Sequence, residues 1–155
     1  MSKMIFGCAV AVVMAAGFTA GAGAQTPATQ TAPAPIQAAF KKAYPNATIK
    51  NVIKETDAGK TVYEVESVEN GRGRNIDYNP DGSVISFEDE LTKAEFPPAV
   101  AAAIAKRYPK ATITLREKLT ITKGALVQYE AELTGAGSVT EVILTIDGTW
   151  VLPTP

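Results

Sequence analysis

Tyr44-Pro45-Asn46-Ala47-Thr48-Ile49 and Tyr108-Pro109-Lys110-Ala111-Thr112-Ile113 agree at five of six positions. The agreement continues downstream, where Tyr63-Glu64-Val65-Glu66 is answered by Tyr129-Glu130-Ala131-Glu132 and Asp81-Gly82 by Asp147-Gly148. The offset is 64 residues at the first pair and 66 at the other two, which places a two-residue insertion near Thr122-Lys123-Gly124. The spacing predicts one unit used twice, repeat one at about 36–90 and repeat two at about 97–152.

Each unit opens on a short amphipathic helix. Ile36, Phe40 and Tyr44 recur every four residues, as do Val100, Ile104 and Tyr108, so each trio shares one helical face. Pro97 and Pro98 suit a helix start, where a missing N–H is harmless, and Pro45 and Pro109 stop both helices. Alternating strands follow. Ile49 and Ile53, and likewise Ile113, Leu115 and Leu119, fall on one parity. Tyr63 and Val65 oppose Glu64 and Glu66, while Tyr129, Ala131 and Leu133 oppose Glu130 and Glu132. Period-two alternation predicts a sheet with one covered and one wet face. Asn70-Gly71 and Gly135-Ala136-Gly137 lead to third strands carrying Ile76 and Tyr78, or Val142 and Leu144. Turns at Asn79–Gly82 and Asp147-Gly148 lead to fourth strands, Ser83–Phe87 and Thr149–Leu152. The expected class is α+β: two tandem repeats, each a helix followed by an antiparallel meander of about four strands. The helices are expected on one face of a single sheet or of two abutting sheets.

The ends and the composition set the compartment. Lys3, the apolar run Ile5–Ala20 and the small-x-small triplet Ala22-Gly23-Ala24 fit a signal peptide over 1–24, cleaved before Gln25. The run is short for a membrane span, and Cys8 precedes most of it, whereas a lipid-modified cysteine would close it. Residues 25–35 form a Pro/Thr/Ala-rich linker, and 36–155 form the domain. Cleavage removes Lys3 and the only cysteine, leaving a net charge near −2 and, with no histidine, a chain without either reactive side chain. That charge offers no case for nucleic acid. Periplasmic or secreted location is expected, with no membrane span after cleavage.

A helix ending in Tyr-Pro-x-Ala-x-Ile, a Tyr-Glu-Val strand and Tyr78-Asn79-Pro80-Asp81-Gly82-x-Val84 resemble the PepSY-like family of exported bacterial proteins. That family is grouped by fold with the β-lactamase inhibitor protein, itself a tandem of helix-plus-sheet halves. The resemblance spans nearly all of 36–152 and implies an envelope binding or inhibitory module without a catalytic site. The inhibitor protein carries disulfides and an aromatic-rich binding surface, which this chain lacks, so the resemblance does not extend to inhibiting a β-lactamase.

Asp77–Glu88 satisfies the EF-hand expression, with oxygen donors at loop positions 1, 3, 5 and 12 and glycine at 6. Its flanks read as strands, however, and Pro80 and Gly82 suit a hairpin turn. Glu88-Asp89-Glu90 reads as a solvated linker between the units. Glu64, Glu66, Glu130 and Glu132 are expected to share the open face as a partner-binding surface, with Trp150 as an aromatic anchor should its parity place it there. Arg72, Arg74, Arg116 or Lys118 are candidates to pair with those glutamates. Without His or Cys there is no Ser-His-Asp triad, Cys-His dyad or ordinary zinc site, although Ser-Lys or carboxylate chemistry stays open in principle. No enzyme, cofactor or metal is expected. The leading expectation is a noncatalytic module that binds or inhibits an unidentified envelope protein or peptide through its exposed sheet face. The alternatives are a calcium- or small-ligand-responsive protein using the Asp77–Glu88 turn and a structural protein with no discrete ligand. Exposed edge strands would also permit dimerisation.

Overall fold

The computed structural model describes residues 31–57 and 59–152. The expected signal peptide and residues 25–30 of the linker lie outside the described residues. Helix α1 (Ala34–Ala43) is followed by β1 (Thr48–Asp57), β2 (Lys60–Glu69), β3 (Arg72–Tyr78) and β4 (Val84–Glu90). Helix α2 (Pro98–Arg107) is followed by β5 (Thr112–Ile121), β6 (Leu126–Thr134), β7 (Glu141–Leu144) and β8 (Trp150–Leu152). The strands form a single antiparallel sheet in sequence order, so the architecture is α+β. Its middle is the β4–β5 ladder, which joins Ser86–Glu90 to Glu117–Ile121.

Both helices begin after a proline, Pro33 or Pro97, with another proline in the first turn. Both end where a tyrosine N–H, of Tyr44 or Tyr108, closes a 2.8 Å bond to the carbonyl four residues back, before a proline that stops propagation. Lys41 and Lys42, or Lys106 and Arg107, lie in the last turns, where the helix dipole favours cations. Helix α1 starts inside the stretch expected to be linker, and Ala32 is buried in the core: a small side chain packs there without a helical pattern to announce it.

The helices lie on one side of the sheet. Ile36 and Phe40 pack with Val52, Val65, Ile76 and Tyr78, while Val100 and Ile104 pack with Ala131, Leu133, Val142 and Leu144. The turn between β3 and β4 backs onto the start of α1. A Cβ on Gly82, at φ +86°, would sit 2.7 Å from the Pro35 carbonyl oxygen. Gly148, at φ +83°, approaches the Ala99 carbonyl in the same way at 2.8 Å.

Two expectations fail in the sheet. Strands β1 and β5 each carry a bulge, between Ile49 and Asn51 and between Ile113 and Leu115. One extra residue reverses the alternation. Ile49 and Ile113 therefore face the helices, whereas Ile53, opposite Glu64, and Leu119, opposite Glu88, lie on the other side. Glu88-Asp89-Glu90 is not a solvated linker but the end of β4, because β5 pairs with all three positions.

A carboxylate face as the candidate functional site

The registers build the helix-free face row by row. Glu64 lies opposite Asp77, and Asp77 opposite Ser86. In the next row Glu66, Asn75, Glu88, Leu119 and Gln128 follow one another across β2 to β6. A third row runs Glu90, Glu117, Glu130 and Ile143. The fourth sets Glu132 between Leu115 and Glu141. Glu64, Glu66, Glu130 and Glu132 thus share this face, joined by Glu88, Glu117 and Glu141.

Trp150 stands apart. It pairs with Leu144, packs into the α2 core, meets the Tyr108 ring edge-on at 5.9 Å and lies under the Arg107 guanidinium at 4.6 Å. Its aromatic surface is used on the helix side, so it does not anchor anything among the glutamates. The basic side chains considered as partners for the glutamates are also on that side or at its edge. Arg74 bonds Asp89 at 2.6 Å and covers the Tyr44 ring at 4.4 Å. Arg72 bonds Glu95 at 3.0 Å, Arg116 lies over the Phe96 ring, and Lys118 pairs in register with Asp89 and Tyr129. The parity that sends Glu117 to one face sends Arg116 and Lys118 to the other.

Around these rows the ionisable groups are acids, with Lys60 at the far end of β2. Glu130 is 3% exposed, Glu117 6% and Glu88 8%. Burial, the largest cause, and neighbouring carboxylates push Glu130 up to about 9, Glu64 and Glu88 to about 8 and Glu117 to about 7. Burial and Glu132 also raise Glu141. Glu130 Oε2 is buried with no hydrogen-bond partner. A few contacts are made: Ser86 Oγ donates to Asp77 at 2.7 Å, and the Gly73 N–H to Glu90 at 2.7 Å.

The Asp77–Glu88 segment is a hairpin between strands. Asn79 N–H bonds the Ser83 carbonyl, and Asp81 accepts both the N–H and the hydroxyl of Ser83, which holds its carboxyl below the usual range. Asp77 and Glu88 lie on the carboxylate face, away from that turn, as alternate residues of paired strands. Among the described residues no three carboxylates converge to hold a metal ion. The face spreads its charge over a surface instead of focusing it at a point. It can store protons or receive cations.

Sequence reasoning read Glu88 only as a calcium-loop donor and linker residue, not as part of this face, and it missed Glu117 and Glu141. The signal for Glu117 was present: it interrupts the apolar parity of Leu115 and Leu119. Glu88 gave none, since its strand is completed by a partner some thirty residues later.

No family model matches the chain, and no curated protein matches it. Solved structures do. A Bacteroides eggerthii protein described as "putative periplasmic" superposes with a TM-score of 0.64 at 20% identity, covering 79% of this chain and 87% of that one. A DUF2874 family protein from Bacteroides uniformis gives 0.61 at 25% identity over 78% and 87%. A BLIP-like protein from Bacteroides fragilis gives 0.57 at 22% identity over 79% and 85%. The chain has the BLIP-like fold. Among the described residues no helix is long and apolar enough to cross a membrane.

Proposed function

We propose that this protein is an exported, noncatalytic binding module of the bacterial envelope, periplasmic or secreted, which captures and restrains another envelope protein or peptide through the carboxylate face. The observation that carries this reading is the set of carboxyl groups placed directly opposite one another across neighbouring strands: Glu64 with Asp77, Glu117 with Glu90 and Glu130, Glu132 with Glu141. Such pairs weaken a sheet. A sequence free to use lysine or threonine there has no structural reason to stack glutamates. The BLIP-like and periplasmic neighbours support a binding role in an exported protein, and the signal-like start of the chain agrees with export.

We also place the chain with PepSY-like proteins and read it as a duplicated helix-plus-four-strand unit. In support, the turns Asn79–Ser83 and Thr145–Thr149 close with the same bond at 2.9 Å, and Gly82 and Gly148 meet the carbonyls of corresponding helix starts.

Affinity capture tests the function. The protein and its Glu66→Lys/Glu132→Lys variant are immobilised, exposed to envelope extract and eluted for mass spectrometry. The expected result is a protein retained by the wild type and lost by the variant. Identical eluates from the two would sink the reading.

A further inference from the structure

We propose that the carboxylate face receives an extended basic segment of its protein partner, whose arginine or lysine head groups seat over the Glu90–Glu117–Glu130 row, and that this segment is held more tightly as pH rises. This rests on the binding role proposed above and names the chemistry of the partner.

The geometry carries it. Glu90, Glu117 and Glu130 lie directly opposite one another on three consecutive strands. Neighbouring strands are about 4.8 Å apart, so the row extends over roughly 10 Å. Directly opposed side chains are close enough for like charges to repel. The β6 end of the row, Glu130, is the most buried carboxylate on the face, and one of its oxygens, Oε2, has no donor. A buried acceptor left unmet is costly, and a charged donor is the strongest remedy. The nearby arginines and Lys118 belong to the helix side, where Asp89, Tyr44, Glu95 and Phe96 engage the arginines. Among the described residues no cation is paired with this row, so a partner is the source that fits it. A single metal ion is a poor match, since among the described residues no three carboxylates converge on one point. An extended peptide is a good one. Alternate residues of a strand project to one side about 7 Å apart, so a basic-x-basic segment sets two head groups along the row.

The pH dependence follows from the surroundings of the row. From β1 and β2 come Glu55, Glu64 and Glu66, from β3 Asp77, from β4 Glu88, and from β6 and β7 Glu132 and Glu141. Asp77 is already engaged by Ser86. Lys60 stands at the far end of β2, two positions beyond Val62 from the row of Glu64. The groups nearer the row are all acids, so each ionisation makes the next harder and the free face retains protons to an unusually high pH. When a guanidinium or ammonium group arrives, a carboxyl gives its proton to solvent and accepts an N–H···O bond from the cation. Protons are released on binding, and affinity climbs until the face is ionised without help.

Isothermal titration with a blocked Arg-Gly-Arg-Gly-Arg peptide, at pH 6 and pH 8.5 and one ionic strength, reads this directly. Expected are one-to-one binding at least tenfold tighter at pH 8.5, net proton release, and at least tenfold weakening in Glu117→Gln/Glu130→Gln. Glu69→Gln/Glu95→Gln removes the same charge elsewhere and is expected to leave binding unchanged. Equal affinity at the two pH values, equal weakening by both variants, or no binding would overturn the proposal. Glutamine has the shape of a protonated glutamate; should that variant fail to fold by circular dichroism, Glu132→Gln/Glu141→Gln takes its place with weakening expected and its absence fatal. Envelope capture separates the two readings. A partner kept by Glu117→Gln/Glu130→Gln but lost by Glu66→Lys/Glu132→Lys leaves the binding face standing and removes the cation row, whereas a partner kept by both removes the face itself.

Discussion

Glu130 illustrates what a single residue contributes. Its side chain is buried between Glu117 on one strand and Ile143 on the next, with an oxygen that has no donor. Its carboxyl is pushed up to about 9, and that of Glu117 to about 7, by burial first and by neighbouring carboxylates second. Both folded values lie above those of the unfolded chain, so folding stability must fall as pH rises. Below about pH 4.5 both states hold the protons and stability is complete. Between there and about pH 9 the unfolded chain has lost its protons while the folded chain still keeps them, and stability declines. Each tenfold difference in proton affinity between the two states corresponds to about 1.4 kcal/mol, so the combined loss amounts to several kcal/mol, the larger share from Glu130. Calorimetry from pH 5 to pH 9 is therefore expected to show Tm falling by roughly 10 °C. Glu117→Gln/Glu130→Gln should flatten part of that slope, leaving the share of Glu64 and Glu88, and melt above the wild type at pH 8.5. A level wild-type profile would mean that these carboxyls titrate normally.

At the scale of elements, the hairpin turns are positioned by close approach to the helices. Gly82→Ala combines a positive φ with a Cβ 2.7 Å from the Pro35 carbonyl oxygen, whereas Gly59, at φ +78°, has open space around its Cβ position. Strain alone costs about 1 kcal/mol, and the clash must add to it. Urea unfolding should place Gly82→Ala at least 1 kcal/mol below Gly59→Ala. Equal midpoints would show that the β3–β4 turn does not rest on α1. Elements were also where the sequence was most legible. The trios Ile36-Phe40-Tyr44 and Val100-Ile104-Tyr108, stopped by prolines, identify both helices, and the Tyr-Glu-x-Glu alternation sets the parity of β2 and β6. The bulges at Lys50 and Thr114 were hidden because an extra residue has no signature beyond the register it disturbs, and that register exists only once a partner strand is paired. The same holds for the site. Four of its glutamates were visible in local alternation, but Glu88 and Glu117 become diagonal neighbours in adjacent rows only through the β4–β5 ladder. Trp150 was undecidable locally, with Val151 beside it, and the α2 core decides its side.

Across the whole molecule, two apolar clusters lie on one side of one sheet, the first under α1 and the second under α2. Between them the helix side is polar, with Arg74 bonded to Asp89 and Lys118 alongside. That seam would allow two independently melting halves if the sheet were broken there. It is not: β4 and β5 pair over five residues, and the Glu90–Glu117 pair carries one carboxylate row across the junction. Thr122 Oγ further donates to the carbonyls of Val84 and Ile85, tying the end of β5 to the start of β4. The expectation is one cooperative unit. The only tryptophan makes this testable, because Trp150 reports solely on the second cluster while Val65 is fully buried in the first. Val65→Ala deletes two buried methyl-sized groups and should cost about 2 kcal/mol. In a single unit that loss must appear in full at Trp150, so the fluorescence-detected urea midpoint should fall together with the far-ultraviolet circular dichroism midpoint. If the tryptophan transition stays at its wild-type position while circular dichroism splits into two phases, the β4–β5 ladder does not couple the halves, and a partner lying across the carboxylate face would itself have to hold them together.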